Sequence, residues 1–184
     1  MLSKHIVLLG AVSVVLLAGC GTAADESNAA ATATQSSAAV ENPYGAASID
    51  PPEADEAVLV VDGKSSDAKF TLDEFKALGA TEITIFEPFV KQTQTFVGVP
   101  FDVVAEQVNM DPSSDLLTVA LNDYRWTGNV GQLIDSQALI AYQVDGRDIG
   151  YDEGGPVRLI FPEGTPLSTE LDAWNWSLAE LAEQ

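Results

Sequence analysis

Histidine and cysteine are almost absent from this sequence of 184 residues, which contains one of each, His5 and Cys20. Both lie near the N-terminus, so a domain built from the rest of the chain has neither. A Ser-His-Asp or Cys-His catalytic site therefore cannot be assembled there, and neither can a zinc site of cysteine and histidine ligands. The single cysteine also excludes a disulfide within the chain, so the fold must rest on its hydrophobic core.

Positively charged residues are scarce as well. The chain has 8 Lys and Arg residues against 28 Asp and Glu residues, which gives a net charge of −20. So negative a surface repels nucleic acids and anionic lipid headgroups, and no nucleic-acid partner is expected. We interpret the acidity as adaptation to salt or as the property of an acidic proteome, rather than as evidence of a cationic partner.

The N-terminus has the three parts of a secretory signal: a basic residue, Lys4, an apolar run over residues 6–16, and small residues before Cys20. The sequence LAGC at residues 17–20 resembles the bacterial lipoprotein signal, which implies removal of residues 1–19 and acylation of Cys20, for example with palmitate. A transmembrane anchor is the alternative, but it would need about 20 apolar residues. We therefore expect an extracytoplasmic protein of the cell envelope, held to the membrane by lipid on Cys20.

Residues 20–55 are rich in alanine, serine, threonine and acidic residues, and they lack large apolar residues at a regular period. This composition is typical of a disordered tether between a lipid anchor and a domain. Apolar patterns begin near Glu56. We predict one folded domain over residues 56–184, which is long enough to have a hydrophobic core.

The pattern of this domain mixes strands and helices. Thr71 and Glu74 form a predicted capping box for a helix that ends at Gly79, and Pro100 is predicted at the first position of a second helix. Apolar runs predict strands over residues 57–61, 82–86, 94–99, 116–121, 138–144 and 157–161. Because the strands and helices do not alternate regularly, we predict a compact, mixed α+β domain rather than a doubly wound sheet.

Five short segments, in order along the chain, carry a resemblance to a known family. They read FVGVPF at 96–101, ALNDY at 120–124, ALIAYQVDG at 138–146, GGPVRLIFP at 154–162 and DAWNWSL at 172–178. Together they resemble the oxidoreductase molybdopterin-binding domain, the sulfite-oxidase fold, over about residues 57–180. The periodicity of the last segment fits a strand or a helix, and the resemblance implies that it is a strand.

The resemblance also implies a cofactor site. Enzymes of the family bind molybdenum through a cysteine thiolate shortly before the GVP step, in the stretch that corresponds to residues 85–92. Here that stretch reads IFEPFVKQ and contains one carboxylate, Glu87, which is a poor substitute for a soft thiolate ligand. The phosphate of a pterin cofactor needs cationic donors, of which the domain has few. The resemblance thus implies molybdopterin, whereas the residues predict that no cofactor is bound.

Residues close to the implied cofactor face form a candidate pocket. Tyr124 and Arg125 could donate to a small polar ligand, whereas an Asx turn with a solvated arginine is the structural alternative. Gly154 and Gly155 could present backbone N–H groups to an anion, or simply make a turn. Arg158, in an apolar strand, needs a carboxylate, a carbonyl or solvent, which favours a structural ion pair. The full candidate set is Glu87, Asn122, Asp123, Tyr124, Arg125, Gly154, Gly155 and Arg158.

Three hypotheses for function follow. The first is a lipid-anchored protein whose degenerate molybdopterin-binding domain is a binding or interaction module for a small neutral or cationic ligand, or for an envelope protein. Its pocket is expected between residues 85–95, 122–125 and 154–156. The second is an enzyme, either a molybdopterin-dependent oxidoreductase or a subunit of an envelope redox complex. The third is a structural envelope lipoprotein without a small ligand.

Overall fold

The computed structural model describes residues 52–184. The predicted signal peptide, the lipidation site at Cys20 and most of the predicted tether lie outside these residues. In the part of the chain that is described, no helix is both long enough and apolar enough to cross a membrane.

Ten strands and three short α-helices make up the regular structure of residues 52–184. The strands are β1 (Ala57–Asp62), β2 (Asp67–Thr71), β3 (Thr81–Glu87), β4 (Gln92–Pro100), β5 (Asp115–Ala120), β6 (Arg125–Asn129), β7 (Leu139–Val144), β8 (Arg147–Asp148), β9 (Arg158–Ile160) and β10 (Leu178–Glu183). The α-helices are α1 (Leu72–Ala77), α2 (Phe101–Gln107) and α3 (Val130–Asp135). Three 3-10 turns cover Tyr151–Glu153, Pro166–Thr169 and Leu171–Ala173.

The strands form two sheets. The first has the order β2-β1-β10-β5-β6, in which β1 and β10 run parallel and the other neighbours are antiparallel. The second is antiparallel, with the order β3-β4-β7-β8, and β9 also pairs with β7. Several neighbouring strands are far apart in the sequence, and within residues 52–184 only three short α-helices connect strands, so the two do not alternate regularly. The prediction of an α+β domain is therefore confirmed.

A single hydrophobic core joins the two sheets. Leu59 and Leu116 of the first sheet belong to the same buried cluster as Phe96 and Ile140 of the second. Helix α2 and its C-cap residue also belong to this cluster, through Phe101, Val104, Ala105 and Val108. Both sheets thus bury one face in a common interior, which fixes the loops at their ends relative to one another.

The ends of two elements match their local signals closely. Thr71 caps α1: its hydroxyl accepts from the N–H of Glu74, and the Glu74 carboxylate accepts from the N–H of Thr71, as a capping box requires. Pro100 was predicted at the first helical position of α2, but it is the N-cap, and the helix begins one residue later at Phe101. At Gly98, where the register of β4 on β7 shifts, a Cβ would overlap the carbonyl of Ile140, so only glycine allows this approach.

The strand predicted over the two tryptophans lies further along the chain. Residues 174–177 are irregular, and β10 begins only at Leu178. Leu171–Ala173 form a 3-10 turn, the N–H of Asn175 returns to the carbonyl of Ala173, and Ser177 has φ of 51°. This left-handed residue breaks the extended chain just before Leu178, so Trp174 and Trp176 do not share one face of a strand.

Candidate functional site

Glu87 lies at the end of β3, in the stretch where the family resemblance places a metal ligand. Its side chain is 0% exposed. One carboxylate oxygen, Oε2, accepts from the N–H groups of Phe89 (2.8 Å) and Val90 (2.6 Å) in the turn to β4. The other oxygen, Oε1, accepts from Nη2 of Arg158 at 2.8 Å. Both oxygens of Glu87 are therefore held by donors of the protein itself.

Arg158, the first residue of β9, is the cation that compensates Glu87. It is 3% exposed, and its Nη1 donates to the carbonyl of Glu153 at 3.0 Å. Its guanidinium also stacks on Trp176, with 3.9 Å from Cζ to the ring centroid. Burial lowers the pKa of Arg158 to about 10, and the charge of Glu87 acts in the opposite direction. The side chain is therefore still charged at neutral pH, and the predicted structural ion pair is present.

The loop of Gly154 and Gly155 packs against Trp176, and the backbone N–H groups of both glycines donate within the loop. Gly154 has φ of +82°, and a Cβ there would lie 2.8 Å from atoms of the Trp176 ring. Its N–H donates to the carbonyl of Tyr151, and that of Gly155 donates to the carbonyl of Gly150. These contacts favour the interpretation of the glycines as a turn, because both donors are used inside it.

The turn between β5 and β6 separates its four candidate residues. Oδ1 of Asn122 accepts from the N–H of Tyr124 at 3.1 Å, which is an Asx turn. Asp123 has φ of 64° and points into the solvent with Arg125, which begins β6. The hydroxyl of Tyr124 donates to the carbonyl of Asp172 at 3.0 Å. Of these four residues, only Asn122 and Tyr124 line the cleft that is described in the next paragraph.

A cleft of about 260 Å³ opens between the β3–β4 turn, the β5–β6 turn and residues 171–176. We call it the aromatic cleft, because four of its seven lining residues carry aromatic rings: Phe89, Tyr124, Trp174 and Trp176, with Asn122, Leu171 and Asp172. The Phe89 ring meets those of Trp176 and Trp174 edge to face, at centroid distances of 5.4 Å and 6.2 Å. Residues of two predicted pocket segments, 85–95 and 122–125, line this cleft. The third predicted segment, 154–156, does not line it: the third wall is the segment of Trp174 and Trp176, and Gly154 packs against Trp176.

Sequence reasoning did not identify the tryptophan segment as a wall of the cleft. Trp174 is 4% exposed and packs edge to face on Phe161 at 5.6 Å. The side chain of Asn175 points the other way, into the core, where its amide donates to the hydroxyl of Thr118. The alternation of large aromatic and small polar residues is a signal for two opposite faces, but it does not say which face lines a cavity.

Two further acidic residues, Glu153 and Asp148, form salt bridges with basic residues of the chain. Glu153 pairs with Arg147, and Asp148 pairs with Lys76 at 2.9 Å. The hydrogen bond from Arg147 lowers the pKa of Glu153 below its ordinary value. Within residues 52–184, no group of three or more His, Cys, Asp or Glu side chains is placed to hold a metal ion.

Comparisons with known proteins agree with this fold. The family model described as "Oxidoreductase molybdopterin binding domain" matches residues 46–166. Among solved structures, the sulfane dehydrogenase SoxCD from Paracoccus pantotrophus is similar, with a TM-score of 0.57 and 18% sequence identity. The alignment covers 73% of this chain and 39% of that chain, so the present chain spans well under half of its length. No curated protein matches the sequence.

Proposed function

Because the chain belongs to the oxidoreductase molybdopterin-binding domain family, we propose that its domain retains the family fold and acts as a ligand-binding module that holds no molybdenum. Membership in the family shows the fold of the domain but not its activity. The activity depends on whether the residues present suit the cofactor that the family implies.

The state of Glu87 is the observation that carries this proposal. Residues 52–184 contain no cysteine, and Glu87 is the one carboxylate in the stretch where the thiolate is expected. All three donors around it, two backbone N–H groups and Arg158, bind its two oxygens directly. Binding a metal would require breaking a buried ion pair, which leaves an uncompensated charge in the core. The ligand set therefore does not fit molybdenum.

The charge of the aromatic cleft argues against the pterin as well. A phosphate group is held by Arg, Lys or several N–H donors. The residues that line the cleft include one acid, Asp172, and no lysine or arginine among those described. Together with the net charge of −20, this environment disfavours a phosphorylated cofactor.

Elemental analysis of protein purified from its native host tests the proposal. We expect far less than one molybdenum atom per chain, and no sulfite-oxidising or sulfoxide-reducing activity from the protein alone. Close to one molybdenum per chain would overturn the proposal. It would restore the alternative that family membership supports, a molybdopterin-dependent oxidoreductase or a subunit of an envelope redox complex.

We further propose that the domain acts outside the cytoplasm, tethered by lipid on Cys20. The support is the LAGC sequence at the end of an apolar run. Two or more acyl chains hold a protein firmly to a bilayer, whereas one gives marginal binding. Intact mass should show acyl groups on Cys20, and C20S should block processing. An unmodified Cys20 on the native mature protein would contradict the anchor.

A further inference from the structure

Exposed apolar side chains concentrate around the aromatic cleft. Among residues 52–184, six large apolar side chains are exposed, and all lie in or beside the three segments that form the cleft: Phe86, Phe89, Val90, Leu121, Tyr124 and Leu171. Leu171 and Tyr124, for example, keep 46% and 41% of their surface exposed. Exposing such a cluster to water is unfavourable in free energy. Exposed apolar patches of this kind are typical of binding sites.

The shape of the cleft suits a compact ligand. Its volume of about 260 Å³ lies just below the range of drug-sized sites. The Phe89 ring is inclined by 66° to Trp174 and by 71° to Trp176, so the rings do not stack into a flat surface but enclose the space from different directions. A small rounded group can therefore contact several rings at once.

The electrostatics of the cleft select the sign of the ligand's charge. Aromatic faces carry negative potential and attract cations. Asp172 lines the cleft, and burial, together with the charge of Asp172, raises the pKa of the Tyr124 hydroxyl. Trp176 already binds one cation in this way, since the Arg158 guanidinium lies 3.9 Å from its centroid. Among the described residues, the one charged side chain that lines the cleft, Asp172, attracts a cation and repels an anion.

We propose that the aromatic cleft binds a small organic cation of the methylated ammonium class. Ring faces satisfy a methylated ammonium, whereas a bare ammonium or guanidinium also needs several hydrogen-bond acceptors. In the described part of the chain, three side chains of the cleft carry a hydrogen-bond acceptor: Asn122, whose Oδ1 is already used in the Asx turn, Tyr124, whose hydroxyl donates to the carbonyl of Asp172, and Asp172. This inference rests on the proposed function, because it treats the cleft as a ligand site rather than as part of a cofactor site.

The test compares two probes of the same shape on the full mature protein. The charged probe is choline. The uncharged probe is 3,3-dimethyl-1-butanol, in which a carbon atom replaces the choline nitrogen. In about 0.15 M NaCl, which screens non-specific attraction to the acidic surface, we expect calorimetry and tryptophan fluorescence to show choline binding at least about tenfold more tightly. Equal affinities, or binding of neither probe, would overturn the inference.

Matched variants locate the site. F89L and Y124L each remove a half-exposed ring without opening the core, and each should weaken choline about fivefold or more. D172N should weaken it by a smaller factor. F86L is the control, because Phe86 is exposed on the same hairpin but does not line the aromatic cleft. If F86L weakened choline as much as F89L, or if F89L and Y124L left it unchanged, the cleft would not be the site.

Molybdenum is measured on the same sample before the titration. A sample with about one molybdenum per chain overturns the proposed function. A sample without molybdenum that fails to prefer choline overturns this inference alone.

Discussion

Trp176 lies between the buried ion pair of Arg158 and Glu87 and the aromatic cleft, and the two regions differ in how a positive charge is accommodated. On the Arg158 side the cation belongs to the chain, is 3% exposed and has the carboxylate of Glu87 at 2.8 Å. On the side of the aromatic cleft the rings of Phe89 and Tyr124 are partly exposed, and no lysine or arginine of the described residues lines the space. The comparison shows that burial requires a fixed counterion, whereas an open aromatic site can leave its cation to be supplied from outside.

Removing the fixed counterion should give the largest effect. E87A leaves the Arg158 charge buried and unpaired, and it frees the N–H groups of Phe89 and Val90. We expect a loss of about 3–5 kcal/mol in the free energy of unfolding, measured in urea. D148A breaks the exposed pair with Lys76 and is the control, with a loss of about 1 kcal/mol or less. Similar losses in both variants would mean that burial of the Glu87 pair has no special energetic role.

The support of Trp176 by Gly154 should come next. Gly154 and Gly146 have φ of +82° and +80°, but only at Gly154 would a Cβ meet another group, the Trp176 ring. G146A should therefore cost about 1 kcal/mol for backbone strain alone. G154A should cost at least about 1 kcal/mol more, because the Trp176 ring must shift from its present position to make room for the Cβ. Equal losses in thermal unfolding would contradict the role of this glycine in placing the tryptophan.

Acid should weaken the salt bridge between Arg147 and Glu153. The hydrogen bond from Arg147 lowers the pKa of Glu153 from its ordinary value of 4.5. Its stabilisation is thus present above about pH 4.5 and is lost as the pH falls through the lower folded value. E153Q should be less stable than the parent by up to about 1 kcal/mol near neutral pH. The difference should shrink towards about pH 3 in urea unfolding, and parallel pH profiles would contradict it.

The smallest effect is expected at Arg125. This side chain is exposed at the start of β6 and does not line the aromatic cleft. R125Q should change the free energy of unfolding by less than about 0.5 kcal/mol, and it should leave choline binding unchanged. Loss of choline binding in R125Q would show that the turn contributes a charge to the cleft after all.

Local signals in the sequence were sufficient for the elements whose ends are fixed by neighbouring residues. The capping box at Thr71 and Glu74 is an example, because both of its hydrogen bonds join residues three positions apart. Strand β6 and helix α3, which are five and six residues long, were not predicted. The N-cap at Asn129, whose side chain accepts from the N–H of Gly131, was the one local sign of that helix.

The site needed information that a linear pattern does not contain. The sequence indicates that Arg158 must meet a carboxylate or a carbonyl, but Glu87 is 71 positions away and is selected by the pairing of the second sheet. The segment of Trp174 and Trp176 was predicted as a strand because its periodicity fits a strand or a helix and the resemblance implies a strand. In the structure, Ser177 has a left-handed backbone that breaks the extended chain before Leu178. Side-chain chemistry was therefore easier to predict than the direction in which each side chain points.

The position of β10 has a consequence for the order of folding. This strand lies between β1 and β5, which are not hydrogen-bonded to each other in the first sheet. Until residues 178–183 have left the ribosome, β1 and β5 each present an unpaired edge to the surroundings. Pairing between β1 and β10 spans more than a hundred positions and is parallel, which makes it a slow step. The period during which the exposed edges of β1 and β5 in a nascent chain can pair with another copy thus ends only when β10 has been synthesised and has paired with both.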